Sequence, residues 1–459
     1  MKSFRPYQEE MFNKVLESWM NGVMRVLAWA FTGWGKTFLT ASVSEFMLSK
    51  GFKIVVAVRT RELVFNLYNE FKELGIDSSI LMSGEENDPN SPVQICSIDT
   101  LNERKVYPYS NEKNVVLIID EAHMSKSDDF QNFIKAYISP YILGVTATPF
   151  NDLDHFDVVH ETITPSELRD KGYLVDYVTV APSVQIETEG VKKINGDFAK
   201  KSIIENTKNI FGDIVEAYLQ FNTENRPTLA FLPDVKTSKE IAQKFNERGI
   251  NAAHIDAKTS DAERAEIEEC LKSGKLTVVC NVALWTTGKN IPEISCILDA
   301  APTHNQNLWV QKVGRGSRVG GSFSDCLYID IAGNTYRHGF FYDERLIESG
   351  DKKKSHRIPD DLKIQACKKC FKYFKTGPKS CPHCGNREEV KYPVRSTVDG
   401  KLRIMTEEDH QAIVQRMMSR YSRQLWWKVS NLPFAGNWSQ DRKKEWVNKK
   451  FKEKYGRAS

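Results

Sequence analysis

The sequence predicts an α/β protein: two parallel-sheet domains in tandem, followed by a small zinc ribbon and a helical basic tail. Three observations lead there. Short, nearly continuous apolar segments rich in β-branched residues alternate with longer amphipathic ones in both halves of the chain, the pattern of parallel strands covered by helices on both faces. A glycine-containing loop ending in Lys-Thr follows the first of these segments directly, where a strand passes into a helix. Two Cys-x-x-Cys pairs, and then a stretch rich in lysine and aromatic residues, close the chain.

At 459 residues the chain exceeds what one hydrophobic core usually serves, so two or three domains are expected. No run of 18 apolar residues occurs, and the opening MKSFRPYQEE carries charges where a secretion signal needs apolar residues. A cytoplasmic protein with no membrane partner is expected. Cys96, Cys270, Cys280, Cys296 and Cys326 stand singly in apolar or mixed stretches and read as reduced core residues. The net charge of +4 is unevenly spread: residues 386–459 hold 17 Lys and Arg against 9 Asp and Glu, a balance of +8, which leaves −4 for the remainder. Basicity confined to one end suits contact with an anionic polymer.

In the first half, strands are expected at 26–30, 53–58, 115–119 and 142–146. Ligands of such sheets bind at the carboxyl ends of the strands, and Ala30-Phe31-Thr32-Gly33-Trp34-Gly35-Lys36-Thr37 lies at one of those ends. Gly33 and Gly35 let backbone N–H groups approach phosphate oxygens, Lys36 supplies a cation for the β- and γ-phosphates, and Thr37 offers its hydroxyl to Mg²⁺. Thr32 and Trp34 belong to the same ATP-binding loop. The third segment ends in Asp120-Glu121-Ala122-His123. There Asp120 can hold Mg²⁺, and Glu121 can polarise the water that attacks the γ-phosphate.

With AFTGWGKT and DEAH in this order, the chain resembles the superfamily 2 helicases and translocases, in which alanine commonly opens the loop. The resemblance implies two RecA-like domains. It extends to Arg5-Pro6-Tyr7-Gln8, similar to the family's adenine-recognition element, and implies that Arg5 and Gln8 bind ATP, with Gln8 reading the adenine edge. Val58-Arg59-Thr60-Arg61-Glu62-Leu63 and the stretch from Gln94 to Thr100 are similar to elements that contact the nucleic-acid backbone, which implies that role for Arg59, Thr60, Arg61 and Thr100. Thr146-Ala147-Thr148-Pro149 is similar to the element that couples the two sites, through Thr146 and Thr148.

In the second half the alternation resumes. A short helix ending at Gly172 precedes a crossover, strands are expected at 228–232 and 276–280, and an amphipathic helix at 238–248. Asn281-Val282-Ala283-Leu284-Trp285-Thr286-Thr287-Gly288 resembles the family's fifth motif, implying nucleic-acid contacts from Thr286 and Thr287 and a nucleotide contact at Gly288. Gln311-Lys312-Val313-Gly314-Arg315-Gly316-Ser317-Arg318 matches the sixth, QxxGRxxR, implying catalytic roles for Gln311, Arg315 and Arg318, the arginines reaching across the inter-domain cleft. Lys289-Asn290 depart from the acidic residue that relatives often carry just after the fifth motif.

Cys367, Cys370, Cys381 and Cys384 form two knuckles separated by ten residues. Thiolates at that spacing close a tetrahedral Zn²⁺ site, and the zinc would stabilise a ribbon too small for a core of its own. Beyond it, Thr406-Glu407-Glu408-Asp409 starts a capped helix expected to run through 411–427. Val447, Phe451 and Tyr455 share a face of a last helix. Trp426, Trp427, Trp438 and Trp446 either stack on bases or, the favoured reading, build a small core or dock on another domain.

The expected organisation is a RecA-like domain 1 at 1–155, a linker or crossover at 156–225, a RecA-like domain 2 at 226–350, a four-cysteine element at 360–390 and a basic, aromatic tail at 391–459. The resemblance is closest to bacterial RadD-type and phage branch-migration DNA helicases, carried by NVALWTTG, VGRGSR and Tyr328-Ile329-Asp330-Ile331-Ala332-Gly333-Asn334. It implies an ATP-dependent monomeric motor that remodels forked or branched DNA, with ATP, Mg²⁺ and Zn²⁺ as cofactors and a single-strand-binding, replication or recombination protein as a partner. Two alternatives stay open: an RNA helicase or a duplex translocase that never separates strands, and a zinc-ribbon DNA-binding protein that uses ATP only as a switch.

Overall fold

The computed structural model describes residues 4–125, 127–147, 155–182, 193–194, 197–198, 214–282, 284–285, 291–342, 364–366, 373–375, 402–430 and 438–455. Its first unit is built from α1 (Pro6–Met20), β1 (Arg25–Trp29), α2 (Lys36–Ser49), β2 (Lys53–Val58), α3 (Arg61–Glu73), β3 (Ser79–Leu81), β4 (Val93–Ser97), α4 (Ile98–Arg104), β5 (Val115–Asp120), α5 (Asp128–Lys135), β6 (Tyr141–Thr146) and β7 (Val158–His160). These strands form one sheet in the order β3-β4-β2-β5-β6-β1-β7, and every pair in it is parallel.

The four expected strands sit at its centre, where their side chains are buried on both faces. That double burial is why they read as unbroken apolar runs. The register pairs Trp29 with Thr146 and Asp120 with Val145, so the loop after β1 and the ends of β5 and β6 share one edge of the sheet.

A second unit follows: α6 (Pro165–Asp170), β8 (Asp176–Pro182), the small hairpin β9 (Lys193–Ile194) and β10 (Asp197–Phe198), α7 (Ile214–Phe221), β11 (Thr228–Phe231), α8 (Val235–Glu247), β12 (Ala252–Ile255), α9 (Asp261–Lys272), β13 (Val278–Asn281), β14 (Cys296–Asp299), α10 (Gln306–Val313), β15 (Asp325–Asp330) and α11 (Asn334–His338). Its sheet has the order β12-β13-β11-β14-β15-β8, parallel throughout. Two parallel-sheet α/β domains therefore stand in tandem. The stretch read from sequence as a linker divides between them: β7 extends the first sheet beside β1, and β8 joins the second beside β15. A short pair, β16 (Ile364–Ala366) and β17 (Tyr373–Lys375), is antiparallel.

The end of the chain is built onto the second domain. β18 (Leu402–Ile404) runs antiparallel to β8, pairing Leu402 with Pro182 and Ile404 with Val180. Thr406 Oγ1 then accepts from Asp409 N at 3.3 Å and starts α12 (Glu407–Ser430), whose Ile413 packs with Met405 and Ala181. α12 and α13 (Gln440–Tyr455) enclose a small core of Met418, Leu425, Val429, Val447 and Phe451, against which Tyr421, Trp426, Trp438 and Trp446 pack. The tail tryptophans among these thus serve packing, while Trp427 and Tyr455 have side chains outside the described residues. The four zinc-candidate cysteines also lie outside them. Cys96, Cys280, Cys296 and Cys326 are buried and Cys270 partly so. No helix among the described residues is long and apolar enough to cross a membrane.

Candidate active site

The loop between β1 and α2 turns through two left-handed glycines, Gly33 at φ +82° and Gly35 at φ +97°. A side chain at Gly35 would collide with Gln8, whose Nε2 would stand 2.4 Å from its Cβ. Glycine is required by both backbone and space. Lys36 opens α2 and points its Nζ at Glu121 Oε1, 3.1 Å away. Thr37 follows on the first turn of α2, half-buried. Trp34 is fully buried and edge-on to Tyr7, ring centroids 5.1 Å apart, so its side chain belongs to the core.

Asp120 ends β5, and its Oδ1 accepts from Glu121 N at 3.0 Å. Glu121 adopts φ +51°, an uncommon conformation for a residue with a side chain and a form of strain often stored at functional sites. Burial pushes Asp120 up to about 6, against the opposing pull of Lys36. Burial acts on Glu121 in the same sense, but Lys36 and His123 outweigh it and hold that carboxyl well below the usual range. His123 Nδ1 lies 3.3 Å from Glu121 Oε2 and 3.1 Å from Thr146 Oγ1, tying the end of β5 to the end of β6. His123 carried no role in the sequence reading. Its place in DEAH beside Thr146 was the available signal.

In the first turn of α1, Gln8 is buried with both ends of its amide engaged: Oε1 accepts from Arg5 N at 3.0 Å and Nε2 donates to Trp34 O at 3.0 Å. Tyr7 donates to the same carbonyl at 3.2 Å. Arg5 donates to Tyr7 Oη at 3.0 Å, with its guanidinium over the Tyr173 ring. α1 is thereby held against the phosphate loop.

The residues expected to touch nucleic acid divide by burial. Thr100 is buried and accepts from Ser83 N at 3.2 Å, and Thr60 caps α3 by accepting from Leu63 N. Arg59 donates to Asp129 Oδ2 at 3.3 Å. Arg61 pairs with Glu85 and reaches Asp261 Oδ2 of the second domain at 3.6 Å. Thr148, Thr286, Thr287 and Gly288 lie outside the described residues.

From the second domain, α10 carries Gln311 and ends at Gly314, where the turn Gly314–Gly316 presents Arg315. Gln311 O accepts from Arg315 Nε at 3.4 Å. Arg315 is 7% exposed. Burial lowers it to about 10, opposed by Glu121 and Glu62 of the first domain, so the guanidinium senses the carboxylates across the cleft. Burial and the charge of Arg315 lower Arg318 to about 9. The domains touch closely here: a Cβ on Gly314 would stand 2.4 Å from Thr32 Cγ2 of the phosphate loop. The structure thus brings Lys36, Asp120, Glu121, Thr146 and the Arg315 loop to one cleft between the two sheets.

The two halves match separate families. Residues 1–151 match the type III restriction enzyme res subunit, and residues 211–320 the helicase conserved C-terminal domain. The chain belongs to the superfamily 2 helicases. It is an ATP-hydrolysing helicase, turning ATP into ADP and phosphate.

Among the relatives of this superfamily 2 helicase, a 51.5 kDa protein of a Lactococcus phage is 27% identical over 365 residues, covering 77% of this chain and 76% of that one. The putative ATP-dependent helicase IRC3 of Saccharomyces cerevisiae is 27% identical over 355 residues, covering 72% of this chain and 51% of its own, so the chain spans about half of that relative. In fold, it is similar to the ATP-dependent type ISP restriction-modification enzyme LlaBIII bound to DNA, with a TM-score of 0.54 at 18% identity, covering 72% of this chain and 27% of that one.

Proposed function

We propose that this helicase is a DNA motor that remodels forked or branched DNA in replication, recombination or repair. The observation that carries the motor reading is the joint placement of Lys36, Asp120 and Glu121 on one sheet edge and Arg315 on the facing edge of the other domain. Neither domain alone holds both sets, so nucleotide bound between them favours closure, and loss of the γ-phosphate removes the charge that Arg315 answers.

In this reading Gly33 and Gly35 leave backbone donors for the phosphates, and Lys36 leaves Glu121 to meet the β- and γ-phosphates. Freed of that partner, the Glu121 carboxylate orients the attacking water, with His123 steadying its other oxygen. Arg315 and Arg318 answer charge on the transferred phosphoryl group, Gln311 supporting them from α10. A hydroxyl and a carboxylate are hard oxygen donors that suit Mg²⁺, so Thr37 and Asp120 would hold it, and it would neutralise phosphate charge. Thr146, through His123, carries the state of Glu121 toward the nucleic-acid side. Arg59, Thr60, Arg61, Thr100, Thr286 and Thr287 are proposed to track the backbone, with Thr148 sharing the coupling.

DNA is favoured over RNA by the family resemblance to RadD-type and phage branch-migration enzymes, by the structural neighbour described as bound to DNA, and by the basic tail. Cys367, Cys370, Cys381 and Cys384 are proposed to hold a structural Zn²⁺. The protein would act as a cytoplasmic monomer in a bacterial or phage-infected cell, with a single-strand-binding or recombination protein beside it. Steady-state ATP turnover on single-stranded, duplex, forked and four-way DNA and on RNA tests the reading. Strongest stimulation by forked or four-way DNA is expected. Preference for RNA would replace the substrate, and turnover unaffected by any nucleic acid would leave a nucleotide switch.

A further inference from the structure

Within three residues, the segment that leaves the first domain touches the Arg5-Tyr7 element, the phosphate loop and the arginine loop. α6 is started by a capping box between Thr164 and Glu167, and the chain reverses at Gly172, φ +71°. Tyr173 then lies edge-on to Tyr7, ring centroids 5.2 Å apart, with the Arg5 guanidinium 4.7 Å above its ring centre. Arg5 and Tyr7 belong to the adenine-recognition element, and Tyr7 is bonded to the phosphate loop at Trp34 O. The next side chain, Leu174, is 3% exposed and packs on the apex of that loop, so closely that a Cβ on Gly33 would meet its Cδ2 at 2.5 Å.

On its other side the same stretch is bonded to the arginine loop. Leu174 forms an isolated antiparallel bridge with Arg318, and Val175 N donates to Ser317 O at 3.0 Å. Tyr177, two residues on, donates to Val313 O at 2.6 Å, directly before Gly314. Val175 O accepts from the Tyr342 hydroxyl. A segment clamped by backbone hydrogen bonds on one side and by ring and aliphatic contacts on the other moves with both or breaks one of them.

We propose that Tyr173 is a positioning residue that ties the adenine-recognition element to Arg318, so that the arginine loop takes its working position only when Arg5 and Tyr7 are in theirs. Replacing the ring leaves Arg5 with its bond to Tyr7 alone and slackens Leu174 against Gly33, and the bridge then no longer fixes Arg318. Phenylalanine retains the ring face for the guanidinium and the edge contact, since no hydrogen bond from the Tyr173 hydroxyl contributes to this chain of contacts. The proposal rests on Arg318 acting at the phosphate site, which the Arg318→Ala variant tests by itself.

The experiment is a double-mutant cycle in the full-length protein: Tyr173→Ala and Tyr173→Phe, each alone and with Arg318→Ala, read as kcat and KM for ATP at saturating DNA, with thermal melting of each. Tyr173→Ala is expected to lower kcat about tenfold and raise KM, Tyr173→Phe to stay within about twofold of the parent, and Tyr173→Ala to add less than about twofold once Arg318 is gone. A tenfold loss that persists in the Arg318→Ala background, or an unchanged kcat in Tyr173→Ala, overturns the relay. An unchanged kcat in Arg318→Ala alone removes that arginine's assignment and the relay with it. If Tyr173→Ala melts early, Tyr173→Leu, which preserves bulk without a ring face, is carried through the same cycle, and the same two results support or overturn the relay.

Discussion

Lys36 Nζ stands 3.1 Å from Glu121 Oε1, the loop after β1 meeting the end of β5 through one partly buried charge pair. Each group thereby holds the other where its ligand will arrive. In the proposed mechanism Glu121→Gln removes the charge that would polarise water but preserves shape, so ATP binding is expected to persist while turnover falls by about 10²-fold or more. Lys36→Ala removes the cation itself and should lose both. Nucleotide-binding fluorescence beside phosphate release separates the two variants, and a Glu121→Gln protein turning over at the parent rate would show that another group activates the water.

His123 bridges Glu121 and Thr146 with contacts of 3.3 and 3.1 Å. Thr146→Val keeps the buried volume and removes the hydroxyl. The carboxylate then loses its link to β6, so DNA-stimulated turnover is expected to drop roughly three- to tenfold while KM for ATP changes less than about twofold. Equal losses with and without DNA would mean that Thr146 serves only the chemical step.

Gly314 meets Thr32 across the cleft with no room for a methyl group. The backbone there is ordinary helix, φ −60°, so alanine is tolerated locally and its only penalty is the collision with Thr32. Gly314→Ala should therefore hold the domains apart, reducing kcat about tenfold while ATP binding to the first domain persists. Adding Thr32→Ser, which removes the Cγ2 nearest the new methyl, is expected to restore part of the loss. No restoration would place the defect within the second domain.

Behind the arginine loop, Lys312 Nζ is 2.5 Å from Asp299 Oδ1, with side chains 3% and 0% exposed, and it also donates to Ala301 O at 2.9 Å. Asp299 accepts further bonds from Asn334 Nδ2 at 2.9 Å and Tyr328 Oη at 3.3 Å. Lys312→Met leaves a buried carboxylate without its cation and is expected to cost the second domain about 3–5 kcal/mol. Adding Asp299→Asn should recover much of this, since the amide carries no charge. Chemical denaturation followed by tryptophan fluorescence reads both variants, and a single mutant as stable as the parent would mean the pair contributes little.

What could be read from the sequence follows burial. Strands β1, β2, β5 and β6 are covered on both faces, so they announce themselves as apolar runs. β7 is only partly covered, with Val159 half exposed, and β8 begins Asp-Tyr and includes Thr179, so neither stood out within a stretch read as a linker. The side chains proposed to carry chemistry stood out by type and spacing, and the structure gathers Lys36, Asp120, Glu121 and Arg315 at one cleft. Tyr173, Leu174 and the Gly314–Thr32 contact were not, because their meaning lies in which surfaces face each other after the two domains close, and no local pattern encodes that. The small tail core was legible in outline from the i, i+4 spacing of Val447 and Phe451.

The tail's place in the structure changes how its role is tested. Removing everything after Arg387 would delete β18 and bare the edge of β8, and removing α13 alone would expose Met418, Leu425 and Val429 of α12. Either truncation unfolds something whether or not the tail binds DNA. Charge can be removed without that cost, because Lys444 and Lys449 are exposed and Lys443 is only half-buried, on a helix whose core contacts come from other positions. Lys443→Gln, Lys444→Gln and Lys449→Gln together should leave melting unchanged and weaken binding to forked DNA. They should also flatten the slope of log affinity against log salt by up to about 2.7, about 0.9 for each phosphate no longer neutralised. Turnover at saturating DNA should persist, since these lysines lie far along the chain from the cleft residues. A triple variant with the parent's salt slope would confine α13 to packing and leave the DNA contacts to the two sheet domains.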